Sequence, residues 1–250
     1  MTNDDHFLNL DKIPDDVRRR FLPFLKGMIA LHRPAILSVN LYGSSTGAGY
    51  VPKVSDINAL FIFQEIDFRD FTKSLPLVKK GLQNRITAPL FLTKEYIASS
   101  IDVFPMEFLE IKENHVLLWG EDILPSLEIK GAHVRLFCEQ QIKGKLIRIR
   151  QAYLELGTQQ KGLASLLRES LHTLIPVFRS LLRLKGRQPP TEKAAVIQEL
   201  CGAFELDSTI FLTLHQYSSK RQKITRQDIP GLLERYWVEI QKLARMVDRL

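Results

Sequence analysis

Cysteine is scarce in this chain: Cys138 and Cys201 are the only two in 250 residues. That excludes a disulfide framework and a cysteine-built metal centre, and it fits a reducing cytosol. No apolar run approaches the roughly 20 residues that cross a bilayer, so no membrane partner is expected. The segment from Met1 to His6 is acidic and polar rather than basic and then apolar, and the expected location is cytoplasmic. The six histidines, His6, His32, His115, His133, His172 and His215, form no His-x-x-x-His or Cys/His cluster, which argues against zinc. No Gly-x-Ser-x-Gly elbow surrounds Ser44. Gly43, Gly47 and Gly49 do not fall in the order of a dinucleotide fingerprint. No internal repeat of fixed period is present.

What is there is the composition of a folded protein, 45% hydrophobic and 25% charged. The length suits one large domain or two modest ones. Net charge is +7 but uneven: residues 1–130 carry 15 Lys/Arg against 17 Asp/Glu, and residues 131–250 carry 20 against 11. A basic second half attracts anions. No aromatic stacking motif accompanies it, so solvated helical faces are the better reading and nucleic acid is a disfavoured partner. The composition is compatible with a monomer or an oligomer.

The period of the apolar residues divides the chain. In residues 1–130, Val17, Phe21, Phe24, Leu25 and Met28 predict a helix over 14–32, with Pro23 kinking or splitting it. Nearly continuous apolar runs at 35–42 and 57–64 predict strands covered on both faces. A helix is expected over 71–82 and a third strand over 86–92. Thr93 should cap a short helix over 94–98, and 99–105 should be a loop. Residues 106–111 and 115–118 look like a short strand pair. From 131 onward the period is helical. Helices are expected around 134–156, 163–182, 191–201 (starting at Thr191), 207–217 (capped by Asp207) and 232–247. A Gly186-to-Pro190 break falls between the second and third, and 218–225 reads as a charged connection. The expected class is α+β: an α/β domain over 1–130, then an all-α antiparallel helical bundle over 131–250.

The chemistry points to the stretch from Leu41 to Asn58. A glycine directly after a strand lets a phosphate approach the backbone. The hydroxyls of Ser44 and Ser45 can bond phosphate oxygens, and Asp56, at the start of the next strand, can hold a cation bridging them. Leu41-Tyr42-Gly43-Ser44, eleven residues, then Asp56-Ile57-Asn58 resembles the motif of polymerase-beta-like nucleotidyltransferases, an apolar-Gly-Ser pair followed by Asp-x-Asp. The helical domain behind it is similar in architecture to that of aminoglycoside nucleotidyltransferases. The resemblance implies a mixed sheet in the domain over 1–130, a nucleoside triphosphate at Gly43, Ser44 and Ser45, Mg²⁺ on the acids, and in-line transfer of a nucleotide to a hydroxyl of a small-molecule acceptor.

Asn58 stands where the motif has its second acid. It keeps the position, since side chains two apart on a strand share a face, but supplies no charge. A third acid is implied on a later strand. Glu107 is the first candidate, before Asp102 and Glu110; three apart on a strand, Glu107 and Glu110 would face opposite sides. The catalytic set is thus Asp56, Asn58 and Glu107, with Asp56 and Glu107 as metal ligands. The reading is a nucleotidyltransferase-fold protein with an altered metal site that binds nucleotide with weak or no transfer. Two alternatives stand beside it: an active Mg²⁺-dependent enzyme acting on a hydroxylated small molecule, and a basic module binding a partner protein or nucleic acid. A cationic aminoglycoside acceptor fits poorly beside a basic bundle.

Overall fold

The computed structural model describes residues 6–47, 49–157, 159–218 and 228–250. The chain divides into two compact units, Met1–Ile129 and Lys130–Leu250.

The first unit is built on a four-stranded sheet in the order β3-β2-β1-β4. The strands are β1 (Ile36–Tyr42), β2 (Asn58–Phe63), β3 (Leu90–Thr93) and β4 (His115–Gly120). β1 runs antiparallel to β2 and β4, and β2 runs parallel to β3, so the sheet is mixed. Alternation along the strands feeds two cores. Ala59, Phe61 and Phe63, with Val39 and Leu41, pack against Phe21, Leu25 and Met28 of α1 (Asp15–His32) and against Leu77 and Val78 of α2 (Phe68–Gln83). Leu60 and Ile62 point the other way, onto Ile97 of α3 (Lys94–Ser100) and Phe108 and Ile111 of α4 (Pro105–Glu113). Both faces of the central strands are therefore covered, as their apolar runs require.

Three expectations need correction. Pro23 does not split α1: it is exposed and the helix runs through it. A proline inside a helix costs about 3 kcal/mol. Burial of Phe21, Phe24 and Leu25 around it offsets that, at about 1.5–3 kcal/mol for each large apolar side chain. Strand β3 is shorter than 86–92 and begins only at Leu90, after Pro89, which has no N–H to give a ladder; Ile86 makes an isolated parallel bridge to Ile57. Residues 106–111 are not a strand. Pro105 occupies the first turn of α4, and Phe108 and Ile111, three apart, bury one helical face. The partner of β4 is β1. Glu107 therefore stands on α4, exposed in its first turn, not on a strand of the sheet. Glu107 and Glu110 are neighbours on one side of that helix rather than opposed. Asp67 caps α2 in a capping box with Asp70, and, as expected, the Thr93 hydroxyl caps α3 by accepting from the Tyr96 amide at 3.0 Å.

His32, at the end of α1, is buried between Phe63 and Phe91 and bonds Ser74 Oγ through Nε2 at 2.8 Å. Burial pushes its pKa below the ordinary 6.5, against the opposing pull of Asp70. The unfolded chain then binds a proton that the folded one refuses, so stability is full above pH 6.5 and declines below it. The expected slope is at most about 1.4 kcal/mol per pH unit. Urea unfolding of the first unit between pH 7.5 and 5.5 should show it, and His32→Phe should flatten it.

The second unit is helical: α5 (Gly131–Leu156), α6 (Gln160–Leu184), α7 (Lys193–Ala203), α8 (Ser208–Ser218) and α9 (Ile229–Val247). The helix α6 is central and packs against each of the other four. Cys138 and Cys201 form no disulfide and are buried, and burial raises both thiols to about 12. Asp207 caps α8 through the Thr209 amide at 2.9 Å. The cap of α7 is Glu192 rather than Thr191, accepting from Ala194 N and Ala195 N. The charged connection read at 218–225 lies, from 219 on, outside the described residues. Among the described residues no helix is long and apolar enough to cross a membrane.

Candidate functional site

The candidate site forms where β1 ends and β2 begins. Tyr42 and Asn58 are paired across the two strands. After Tyr42 the backbone turns through Gly43, whose φ of +73° is the left-handed region that glycine enters without strain. A Cβ there would lie 3.4 Å from Asn58 Nδ2, an ordinary contact, so it is the φ rather than the space that calls for glycine. The turn Gly43–Thr46 is a short 3-10 helix. Ser45 is buried and donates its hydroxyl to the Tyr42 carbonyl at 3.1 Å; Thr46 donates to the Gly43 carbonyl at 2.8 Å. Gly43 N donates to the Asn114 carbonyl at 3.2 Å, tying the turn to the start of β4. Ser44 is the exposed serine of the pair, its hydroxyl unpaired among the described residues. Of the three residues read as a phosphate cradle, Ser44 thus presents a free hydroxyl, while Ser45 holds the turn together.

The loop that follows is anchored to α1. The Tyr50 hydroxyl donates to Asp16 and accepts from Arg20, both through short bonds. The Tyr50 bond holds the Asp16 carboxyl below the usual carboxylate range against the opposing effect of burial, and Arg20 adds to it.

At the entry to β2, Ile57 is fully buried in the α1/α2 core. Asp56 and Asn58 flank it on the sheet's other side, the side that carries α3 and α4. Neither residue is free. Asp56 Oδ1 lies 3.0 Å from Arg85 Nη2, a half-exposed ion pair. The same nitrogen donates to the Val54 carbonyl through a short bond. Asn58 Oδ1 accepts the Thr87 hydroxyl at 2.9 Å. Backbone bonds Ile57 N to Arg85 O (2.8 Å) and Thr87 N to Ile57 O (3.0 Å) hold the two segments in register. The position beside Asn58 on the neighbouring segment is therefore a threonine, not an acid.

Arg85 and Thr87 were not found by reading the motif. The available signal was two polar residues alternating with Ile86 just before an apolar run, with the parity of Asp56 and Asn58. Among the described residues, Glu107 makes no bond to Asp56, Asn58, Arg85 or Thr87. Among the described residues no three His, Cys, Asp or Glu side chains are grouped to hold a metal ion. The residues at the turn do not fit a two-metal centre: one carboxylate is ion-paired and the amide oxygen is already an acceptor.

No protein-family model matches the chain, and no curated protein matches it in sequence. In structure it is similar to the spectinomycin adenyltransferase AAD(9) from Enterococcus faecialis, whose crystal structure holds ATP and spectinomycin. The TM-score is 0.55 at 10% identity, with 89% of this chain and 99% of that one covered. At that identity the likeness is one of fold. A mixed four-stranded sheet with a glycine turn between its central strands, followed by a helical unit, gives this chain a nucleotidyltransferase-like fold.

Proposed function

We propose that the turn at Gly43 and Ser44 binds a nucleoside triphosphate and that the site transfers nucleotide weakly or not at all. The observation that carries this reading is the pairing of both motif positions, Asp56 with Arg85 and Asn58 with Thr87. In-line phosphoryl chemistry depends on metals that stabilise the attacking and leaving oxygens. This site offers one carboxylate for that task and has it neutralised. The glycine turn and the exposed Ser44 hydroxyl, in contrast, keep what phosphate binding needs. The neighbour of like fold, with ATP and spectinomycin in its crystal structure, supports a nucleotide and a small-molecule acceptor as the ligand classes.

The test is calorimetry of the full chain with ATP, GTP, CTP and UTP, beside a transfer assay with labelled triphosphate. Binding of at least one nucleotide is expected. Ser44→Ala should weaken it about two- to tenfold, the value of one hydrogen bond. Turnover in the ordinary enzymatic range of about 1–1000 per second would overturn the reading. It would favour an active Mg²⁺-dependent enzyme acting on a hydroxylated small molecule, with Asp56 and Glu107 as the acids to mutate first.

A further inference from the structure

We infer that Arg85 is the resident cation of this site: it holds Asp56 in place of a divalent metal, so that a triphosphate binds here without Mg²⁺. The second half rests on the nucleotide-binding reading above; the first stands on geometry alone.

Arg85 is fixed from several sides. Its guanidinium bridges Asp56 and the Val54 carbonyl. Its backbone carbonyl accepts from Ile57 N at 2.8 Å, and its amide donates to the Leu82 carbonyl at 3.1 Å. It keeps a left-handed backbone, φ +56°, at a position where most side chains are strained by about 1–2 kcal/mol. A guanidinium carries five N–H donors in a rigid planar fork, so it holds Asp56 and the Val54 carbonyl at once. A metal approaching Asp56 meets a positive charge 3.0 Å from the one carboxylate of the Asp56/Asn58 pair. Asn58 supplies only a neutral amide oxygen, and that oxygen already accepts the Thr87 hydroxyl. Mg²⁺ gives up its waters reluctantly and requires several well-placed oxygens. A phosphate, by contrast, is an anion that a guanidinium can bind through parallel N–H donors.

The experiment uses Mn²⁺ as the metal probe, read by electron paramagnetic resonance on the full chain. Asn58→Asp restores the missing carboxylate. By itself it should leave Mn²⁺ affinity close to that of the unaltered chain, because Arg85 still holds Asp56. Asn58→Asp with Arg85→Gln should bind Mn²⁺ about tenfold more tightly or better. Asn58→Asp with Arg85→Lys keeps the charge and should behave as the single variant. A full gain from Asn58→Asp alone, or no gain on adding Arg85→Gln, overturns the inference. On the unaltered chain, which needs no variant to fold, ATP affinity should be the same in EDTA as in Mg²⁺. A rise of about tenfold with Mg²⁺ also overturns it. If no nucleotide binds at all, the proposed function and the triphosphate half of the inference fail, while the Mn²⁺ series still decides the role of Arg85.

Discussion

Gly120→Ala is expected to destabilise the sheet unit by about 3–5 kcal/mol, combining left-handed strain with a backbone overlap. Gly120 ends β4 opposite Ser38 of β1. Its φ is +82°, and a Cβ built on it would lie 2.0 Å from the Leu37 carbonyl oxygen and 2.9 Å from Ser38 Cα. Backbone atoms cannot rotate aside as a side chain can. The strands must separate, and with them the β1–β4 ladder that carries Trp119 and positions Asn114 under Gly43. Urea unfolding in a Trp237→Phe background, where Trp119 is the remaining tryptophan, would measure the effect in this unit alone. Gly144→Ala, in the helical unit and read through Trp237 with Trp119→Phe, is the comparison. It sits in α5 with nothing within 4 Å of the added methyl, and should be neutral or stabilising by about 0.5–1 kcal/mol. A Gly120→Ala chain as stable as its parent would show that the β1–β4 pairing is not as tight as the geometry requires.

Tyr236→Ala should cost the helical unit about 3–5 kcal/mol, the range for deleting a large buried ring. Tyr236, on α9, is fully buried, stands edge-on to Phe211 at 5.6 Å, and shares a 2.9 Å hydrogen bond with Ser170 of α6. Burial pushes its phenol above the ordinary range, so it stays neutral and the bond persists through neutral pH. The contributions separate by substitution. Tyr236→Phe keeps the ring but leaves the Ser170 hydroxyl buried without its partner, at about 1–3 kcal/mol. Adding Ser170→Ala removes the orphaned group and should recover part of that loss. Trp237 fluorescence reports this unit. Equal stability of the Phe and Ala variants would mean that the ring fills no core.

Much of this architecture is written locally. The helical spacing of Val17, Phe21, Phe24, Leu25 and Met28 marks α1, and all five are buried. Thr93 was readable as a cap because a hydroxyl before a helix has one favourable use. The stretch at 106–111 was misread because Met106, Phe108 and Leu109 serve either period over so few residues. What decides is burial against Leu60 and Ile62, which lie far away in sequence. The likeness in fold to an adenyltransferase agrees with the expected order of a mixed-sheet unit followed by a helical one. The partners of those residues were not legible, because Arg85 and Thr87 come from a segment brought alongside only by the parallel approach of residues 86–93 to β2.

By itself the sequence determined the period of each segment, the charge of each half, and an amide rather than a carboxylate at Asn58. These are properties of residue type and spacing, and they hold whatever the chain does next. Tertiary structure alone decided what stands beside Asp56 and Asn58. Hydrogen bonds and ion pairs reach only about 3–4 Å, so the state of a site depends on which distant segment is folded against it. Here that segment brings a guanidinium and a hydroxyl instead of an acid.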